Sequence, residues 1–390
     1  MPINTLYRSM TFLAAVVTGL LSTGCAAPSR DAARVPPQPQ PLLTSARDRE
    51  ITLFGELPWR QGGAFQSRGQ YSLARHTFVE EGADYDPDVD STGRRMVFCS
   101  TRHTSNPNLY VKAVDGVAVV QLTSDPSSDV QPVFSPDDQR IAFASDRSGN
   151  WDIWVINVDG TQPVQISNGI SHDVHPSWSP DGRQLVYCSQ PAGGGQWELW
   201  VVDAVAGGKR TFIGYGLFPE WSPTSATILY QRARERGTRW FGIWTLTLVD
   251  GEPRHPTEIA FGADYAMILP TWSPDGARIA YTAVASAVPT PVGRQSIGLA
   301  DIWVVDAQGR SRMRLTDGFD ANFGPVISSD GRVYFTSDRE GHENIWSVAL
   351  PAPVTAADGR LMASGAPEPA EQAGANAPVK VTATRSDDPR

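Results

Sequence analysis

Residues 173–187 read DVHPSWSPDGRQLVY, and the same pattern returns five more times along the chain. It appears as DYDPDVDSTGRRMVF at 84–98, DVQPVFSPDDQRIAF at 129–143, GLFPEWSPTSATILY at 216–230, MILPTWSPDGARIAY at 267–281 and NFGPVISSDGRVYF at 322–335. The marker prolines Pro87, Pro132, Pro176, Pro219, Pro270 and Pro325 stand 45, 44, 43, 51 and 55 residues apart. A period of about 45 with strand-like content is that of a propeller blade. Helical solenoids of similar period are excluded, because Pro and Gly recur inside every unit. Six units therefore predict an all-β, six-bladed β-propeller of four-stranded antiparallel blades over residues 84–350.

Within a unit, Pro-x-Trp-Ser opens the first strand and Ser-Pro-Asp-Gly makes a tight turn. Pro presets φ, Asp suits the next position and Gly takes the left-handed residue. A run such as Arg140 to Ser145 forms the second strand, a third strand carries Ile-Trp or its equivalent, and a short edge strand completes the blade. Eight of the 12 Trp fall at two repeat positions: 178, 221 and 272 in the first strand, and 154, 200, 244, 303 and 346 in the third. Such recurrence assigns them to packing between blades.

The WSPDG turn, the FxSDRxGxxxIW segment at Phe143 to Trp154 and again at Phe335 to Trp346, and the six-fold count together resemble the TolB family of cell-envelope propellers. The resemblance covers about two-thirds of the chain, residues 84–350, and implies a protein-binding scaffold rather than an enzyme. Blades one and four depart from it, with Asp90-Ser91-Thr92-Gly93 and Ser222-Pro223-Thr224-Ser225 at the turn. The family's N-terminal α/β domain also has no room in the 58 residues between Cys25 and Asp84.

The remaining residues lie at the two ends of the 390-residue chain. Arg8, an apolar run from Met10 to Leu21 and Ser22-Thr23-Gly24-Cys25 read as a signal peptide over 1–24. The apolar run of 12 residues is shorter than the ~20 that span a bilayer. Small residues before Cys25 resemble a lipobox, making Cys25 the expected lipid attachment site. The alternative is an ordinary signal cut near Ala26 or Ala27. Residues 25–50, rich in Pro and Ala, form a tether, and 351–390 an Ala/Pro/Gly-rich tail. Residues 51–83 lead in, and Ala74 to Glu80 is in phase to close the ring as the outer strand of blade six. Val379 to Thr384 in the tail competes for that role. The expected location is the periplasmic face of the outer membrane, or the soluble periplasm if Cys25 is not acylated.

Antiparallel connectivity places the SPDG turns on one face and the inter-blade loops on the other, together with the loops joining second and third strands. Insertions concentrate on the second face: Gln231 to Phe241, with Arg234, Arg236 and Arg239, and Ala283 to Ala300. These are either functional loops or tolerated insertions. Asp86, Gln131 and His175, each just before a marker Pro, are placed at the mouth of the axial channel. In blades four and five the equivalent neighbourhood is apolar. Leu217, Phe218, Met267, Ile268 and Leu269 are expected to form a docking patch, unless the insertions cover it. Asp84, Asp129 and Asp173 recur at one blade position, as do Arg147 and Arg339 at another, so they are assigned to structural hydrogen bonds between neighbouring blades.

Net charge is −9 with no basic block, which argues against nucleic acid. No G-x-S-x-G, H-E-x-x-H, C-x-x-C or P-loop pattern occurs. His172, Asp173 and His175 lack an obvious further ligand, so neither metal nor cofactor is expected. Cys99 and Cys188, two blades apart, are too distant for a disulfide. The reading is a monomeric, non-enzymatic scaffold that captures an envelope protein or peptide, within a Tol-Pal-like system by analogy. The alternative is a propeller enzyme, lyase or hydrolase-like, working at the axial channel.

Overall fold

The computed structural model describes residues 72–233, 241–262, 265–285, 300–317 and 320–351. Cys25, the signal, the tether, the tail with Val379–Thr384, and Arg234, Arg236 and Arg239 lie outside the described residues. The described strands form six four-stranded antiparallel sheets. Five sheets take four consecutive strands each, and the sixth draws its outermost strand from the N-terminal side, in Leu73–Arg75. That strand pairs antiparallel with Asn344–Ala349, Leu73 opposite Val348 and Arg75 opposite Trp346, so the ring closes on residues preceding the first blade.

The inner strands are Asp84–Val89, Asp129–Phe134, His172–Trp178, Leu217–Trp221, Tyr265–Trp272 and Asn322–Ile327. Second strands such as Arg95–Ser100, Arg140–Ser145 and Arg332–Ser337 are buried on both faces because blades pack face to face. The core is accordingly inter-blade. Val97, Cys99 and Leu109 of blade one pack with Phe134, Ile141 and Phe143 of blade two. Trp178, Trp221, Trp272 and Trp346 are buried, while guanidinium groups cover third-strand Trp rings: Arg147 over Trp154 at 5.0 Å and Arg210 over Trp200 at 4.1 Å.

Every inner strand carries a bulge at its marker Pro. Pairing with the second strand slips between Tyr85 and Asp88, Val130 and Val133, Val174 and Ser177, Leu217 and Glu220, Ile268 and Thr271, and Phe323 and Val326. Pro has no N–H to give the ladder, and bulges are where strands tolerate it. The residue before each Pro is left-handed: φ is 48° at Asp86, 55° at Gln131, 59° at His175, 49° at Phe218, 51° at Leu269 and 59° at Gly324. Five are not Gly, and each costs about 1–2 kcal/mol in this region.

Contacts across blade boundaries offset that strain. The turned backbone N–H reaches the preceding blade: Asp86 N donates to Thr336 Oγ1 at 3.2 Å, His175 N to Gln131 Oε1 at 2.9 Å and Leu269 N to Gln231 Oε1 at 2.9 Å. The side chain after Pro grips the following blade. Asp88 accepts from Phe134 N at 2.7 Å, Ser177 from Trp221 N at 3.0 Å and Glu220 from Trp272 N at 3.2 Å. Gln131→Ala should cost about 1–3 kcal/mol by leaving the His175 N–H unpaired. A denaturant midpoint equal to that of the native chain would contradict this stitch.

Candidate functional site

The bulges turn the residues on either side of the marker Pro toward the ring axis, except in blade four, which contributes Glu220 alone. They line an axial cavity of about 190 Å³ walled by all six marker prolines. Asp86, Gln131, His175 and Leu269 line it. Sequence reasoning missed Asp88, Glu220 and Glu343, which complete a set of four carboxyl groups. Strand alternation held the signal for two of them, since the residue after Pro shares a face with the residue before it. Glu343 sits ahead of the third strand of blade six, where the repeat gives no guide. Its position, and the bulges near the start of each inner strand, set the cavity toward the face that carries the inter-blade loops.

Burial dominates the electrostatics. It pushes Asp86 and Asp88 up to about 7, Glu343 up to about 7 and Glu220 up to about 8. Like charges add to it, from Asp338 and Asp86 on Glu343, and from Asp88 on Glu220. Burial drives His175 the other way, down to about 4, so its imidazole is neutral at pH 7. The ring stands edge-on to Phe218 at 4.7 Å, and Nδ1 has no hydrogen-bond partner. No Lys or Arg is among the lining residues. The cavity therefore offers weak acids and a neutral base without a built-in counter-ion. Among the described residues, no three His, Cys, Asp or Glu side chains are grouped to hold a metal ion.

The expected apolar docking patch requires correction. Leu217, Phe218, Met267 and Ile268 are 4%, 2%, 0% and 1% exposed, and Leu269 is half-buried at the cavity wall. Leu217, Phe218 and Ile268 belong to one core cluster and Met267 to another, packed between blades. The recurrent acids bond both within their own blade and across to the preceding one. The first inner-strand residue lies opposite the last residue of the second strand, as Asp129 does Ser145, within reach of the Arg two residues on. Arg147 holds Asp129 at 2.8 Å and Asp125 at 2.9 Å, and Arg102 holds Asp84 at 2.6 Å. Arg339 meets Asn322 at 3.2 Å, and Asp173, lacking such an Arg, accepts from Ser189 Oγ at 2.5 Å. The acids also cross the boundary: Thr123 of the preceding blade bonds the Asp129 side chain and Ser167 that of Asp173, and backbone N–H groups reach from Asp84 to the Glu343 carbonyl, from Asp129 to Pro107 and from Asp173 to Trp151. Cys99 and Cys188 are buried free thiols.

Comparison with known proteins points the same way as the repeat. Residues 72–241 match the TolB beta propeller domain family. The Tol-Pal system protein TolB of Bordetella pertussis is 29% identical over 144 residues, covering 27% of this chain and 32% of that one. The matched stretches span only 24–32% of the curated relatives' own length. A solved structure assigned to TolB of Agrobacterium tumefaciens superposes with a TM-score of 0.51 at 18% identity, covering 70% of this chain and 91% of that one. An oligogalacturonate lyase from Vibrio parahaemolyticus superposes about as well. Its TM-score is 0.50 at 15% identity, over 72% of this chain and 94% of the lyase. At these identities the superpositions establish the fold alone.

Proposed function

We propose that this TolB-like propeller is a non-enzymatic recognition scaffold of the bacterial cell envelope, binding a partner protein or peptide at the inter-blade loop face. The axial cavity carries the reading. It is a rigid, proline-walled recess holding four carboxyl groups and no counter-ion, set in a ring closed by inter-blade hydrogen bonds. A preformed site of this kind costs little ordering on binding. Local similarity to the Tol-Pal system protein supports a partner in that system, and the signal-like N-terminus with Cys25 supports export and lipid tethering.

Photo-crosslinking in intact cells tests the assignment. Probes at exposed Ser124 and Asn168, in the inter-blade loops, should each capture one and the same envelope protein. Probes at Val117 and Asp159, in the turns of the opposite face, should capture none. Equal capture from both faces would remove the reading.

The same cavity supports a second reading. Carboxylic acids held near 7–8 are suited to general acid–base work at neutral pH, and a propeller of this shape serves an oligogalacturonate lyase. Turnover of oligogalacturonates by purified protein, abolished by Glu220→Gln, would favour the enzyme.

A further inference from the structure

We infer that the axial cavity is a socket for a single lysine or arginine side chain of the partner. This rests on the recognition reading above and names the chemistry that the partner must present.

Three independent features converge on a cationic side chain. The first is the charge surrounding each acid. Aspartates Asp90 and Asp138 act on Asp88, Asp88 acts on Glu220, and Asp338 and Asp86 act on Glu343, while burial alone acts on Asp86. Arg339, four residues before Glu343, is committed to Ser337, Asn322 and Asp320. The second feature is Glu343. It is 9% exposed and lines the cavity, yet its carboxyl group has no hydrogen-bond partner among the described residues. A carboxyl group that faces the cavity with no donor from its own chain is open to a donor from a ligand.

The third feature is how the acids and the walls are arranged. Asp88 belongs to blade one and Glu220 to blade four, opposite each other in a six-bladed ring, whereas Asp86 and Glu343 meet where blades one and six join. Acids spread in this way do not converge on one point, consistent with no three-ligand metal grouping among the described residues. A guanidinium offers five donors spread over a planar head group, and an ammonium offers three from a single nitrogen that bonds the acids on one side of the cavity. Prolines, Val133, Leu269 and Phe323 supply apolar walls along which a Lys or Arg stem buries well. A cavity of about 190 Å³ admits such a side chain, where a water claims about 30 Å³.

The sign of the pH response follows. The acids must ionise to hold a cation, so binding releases protons and tightens as pH rises from 6 to 8. The expected gain is about tenfold for each carboxyl that ionises. Calorimetry on the full-length protein with N-acetyl-lysine amide and N-acetyl-arginine amide tests this, with N-acetyl-norleucine amide as the uncharged control. Both cationic amides should bind at pH 8 with heats that depend on buffer ionisation, and the norleucine amide should not. Glu343→Gln should weaken them at least tenfold while unfolding remains cooperative, and Asp86→Asn is the second variant should the first fail to fold.

Equal binding of lysine and norleucine amides would overturn the socket. So would binding of calcium chloride, lost in Asp88→Asn, with no binding of either cationic amide. Crosslinking to a partner from Ser124 and Asn168 without amide binding would sink the socket and leave the recognition reading standing. Amide binding without any crosslinked partner would do the reverse.

Discussion

Deleting residues 72–79 from the full-length chain is expected to abolish cooperative unfolding of the propeller. The segment is short, but among the described residues it supplies the one strand that a blade takes from chain distant in sequence. Leu73–Arg75 covers the third strand of blade six, and His76 N continues the pairing onto the Ile345 carbonyl. Beyond the strand, Asn344 Oδ1 accepts from Val79 N at 2.9 Å and from Thr77 Oγ1 at 3.2 Å, while Ile345 N donates to Thr77 Oγ1 at 2.9 Å. His76 then ties blade six to blade one. Its Nε2 meets Ser347 Oγ at 2.7 Å, its ring packs on Tyr334, and its carbonyl accepts from Lys112 Nζ.

Each bond contributes about 1 kcal/mol, and domains rest on about 5–15 kcal/mol in total. Deletion would also bare the edge of Asn344–Ala349, whose Val348 is fully buried in the intact ring. Urea unfolding followed by Trp fluorescence should show a broad, low-midpoint transition. Deletion of 372–390, which removes the competing candidate strand, is the control. Loss of folding there, with an unchanged midpoint on deleting 72–79, would reverse the assignment of the closing strand.

The ring itself was legible because its signals are chemical and repeated: Pro before a Trp, then Ser-Pro-Asp-Gly. The Ser179 hydroxyl bonded to Asp181 at 2.6 Å and Gly182 at φ 66° form the turn that the letters predict. The bulges were written in the same letters, since Pro within an inner strand has few other places to be. Overlooking them misplaced the docking patch. Phe218 read as a loop residue is exposed, but as a left-handed bulge residue it folds against the His175 ring.

Chemistry sits instead where the repeat is broken. Glu220 stands where other blades have Asp88, Val133, Ser177, Thr271 and Val326, and Glu343 stands where blade two has Trp151. Repeat-averaging hides a residue that occurs once. Only the closed ring shows that these single departures, far apart along the chain, share one cavity.

The cavity acids should make the propeller less stable as pH rises, and removing them should reverse this. Asp86 and Glu343 are the cleanest pair, because neither carboxyl has a side-chain hydrogen bond to lose among the described residues. Both are raised to about 7, from ordinary values of 3.8 and 4.5. Below about pH 4 both are protonated in the folded and unfolded chain alike, and they contribute no pH dependence. Between about 4 and 7 the folded chain holds protons that the unfolded chain has released, so stability falls by up to about 1.4 kcal/mol per pH unit for each group. Above that window the loss is complete.

The Asp86→Asn/Glu343→Gln chain should therefore match the native one near pH 4 and exceed it by up to about 8 kcal/mol at pH 8, mutual repulsion within the pair being counted once. Native and variant urea midpoints measured from pH 4 to 8 decide the matter. Parallel curves would mean that the two carboxyls ionise in the folded ring as freely as in water, and that the cavity is wetter than its proline walls imply. Diverging curves would identify the stability that the ring gives up to keep unpaired acids at its axis, which a bound cation would restore.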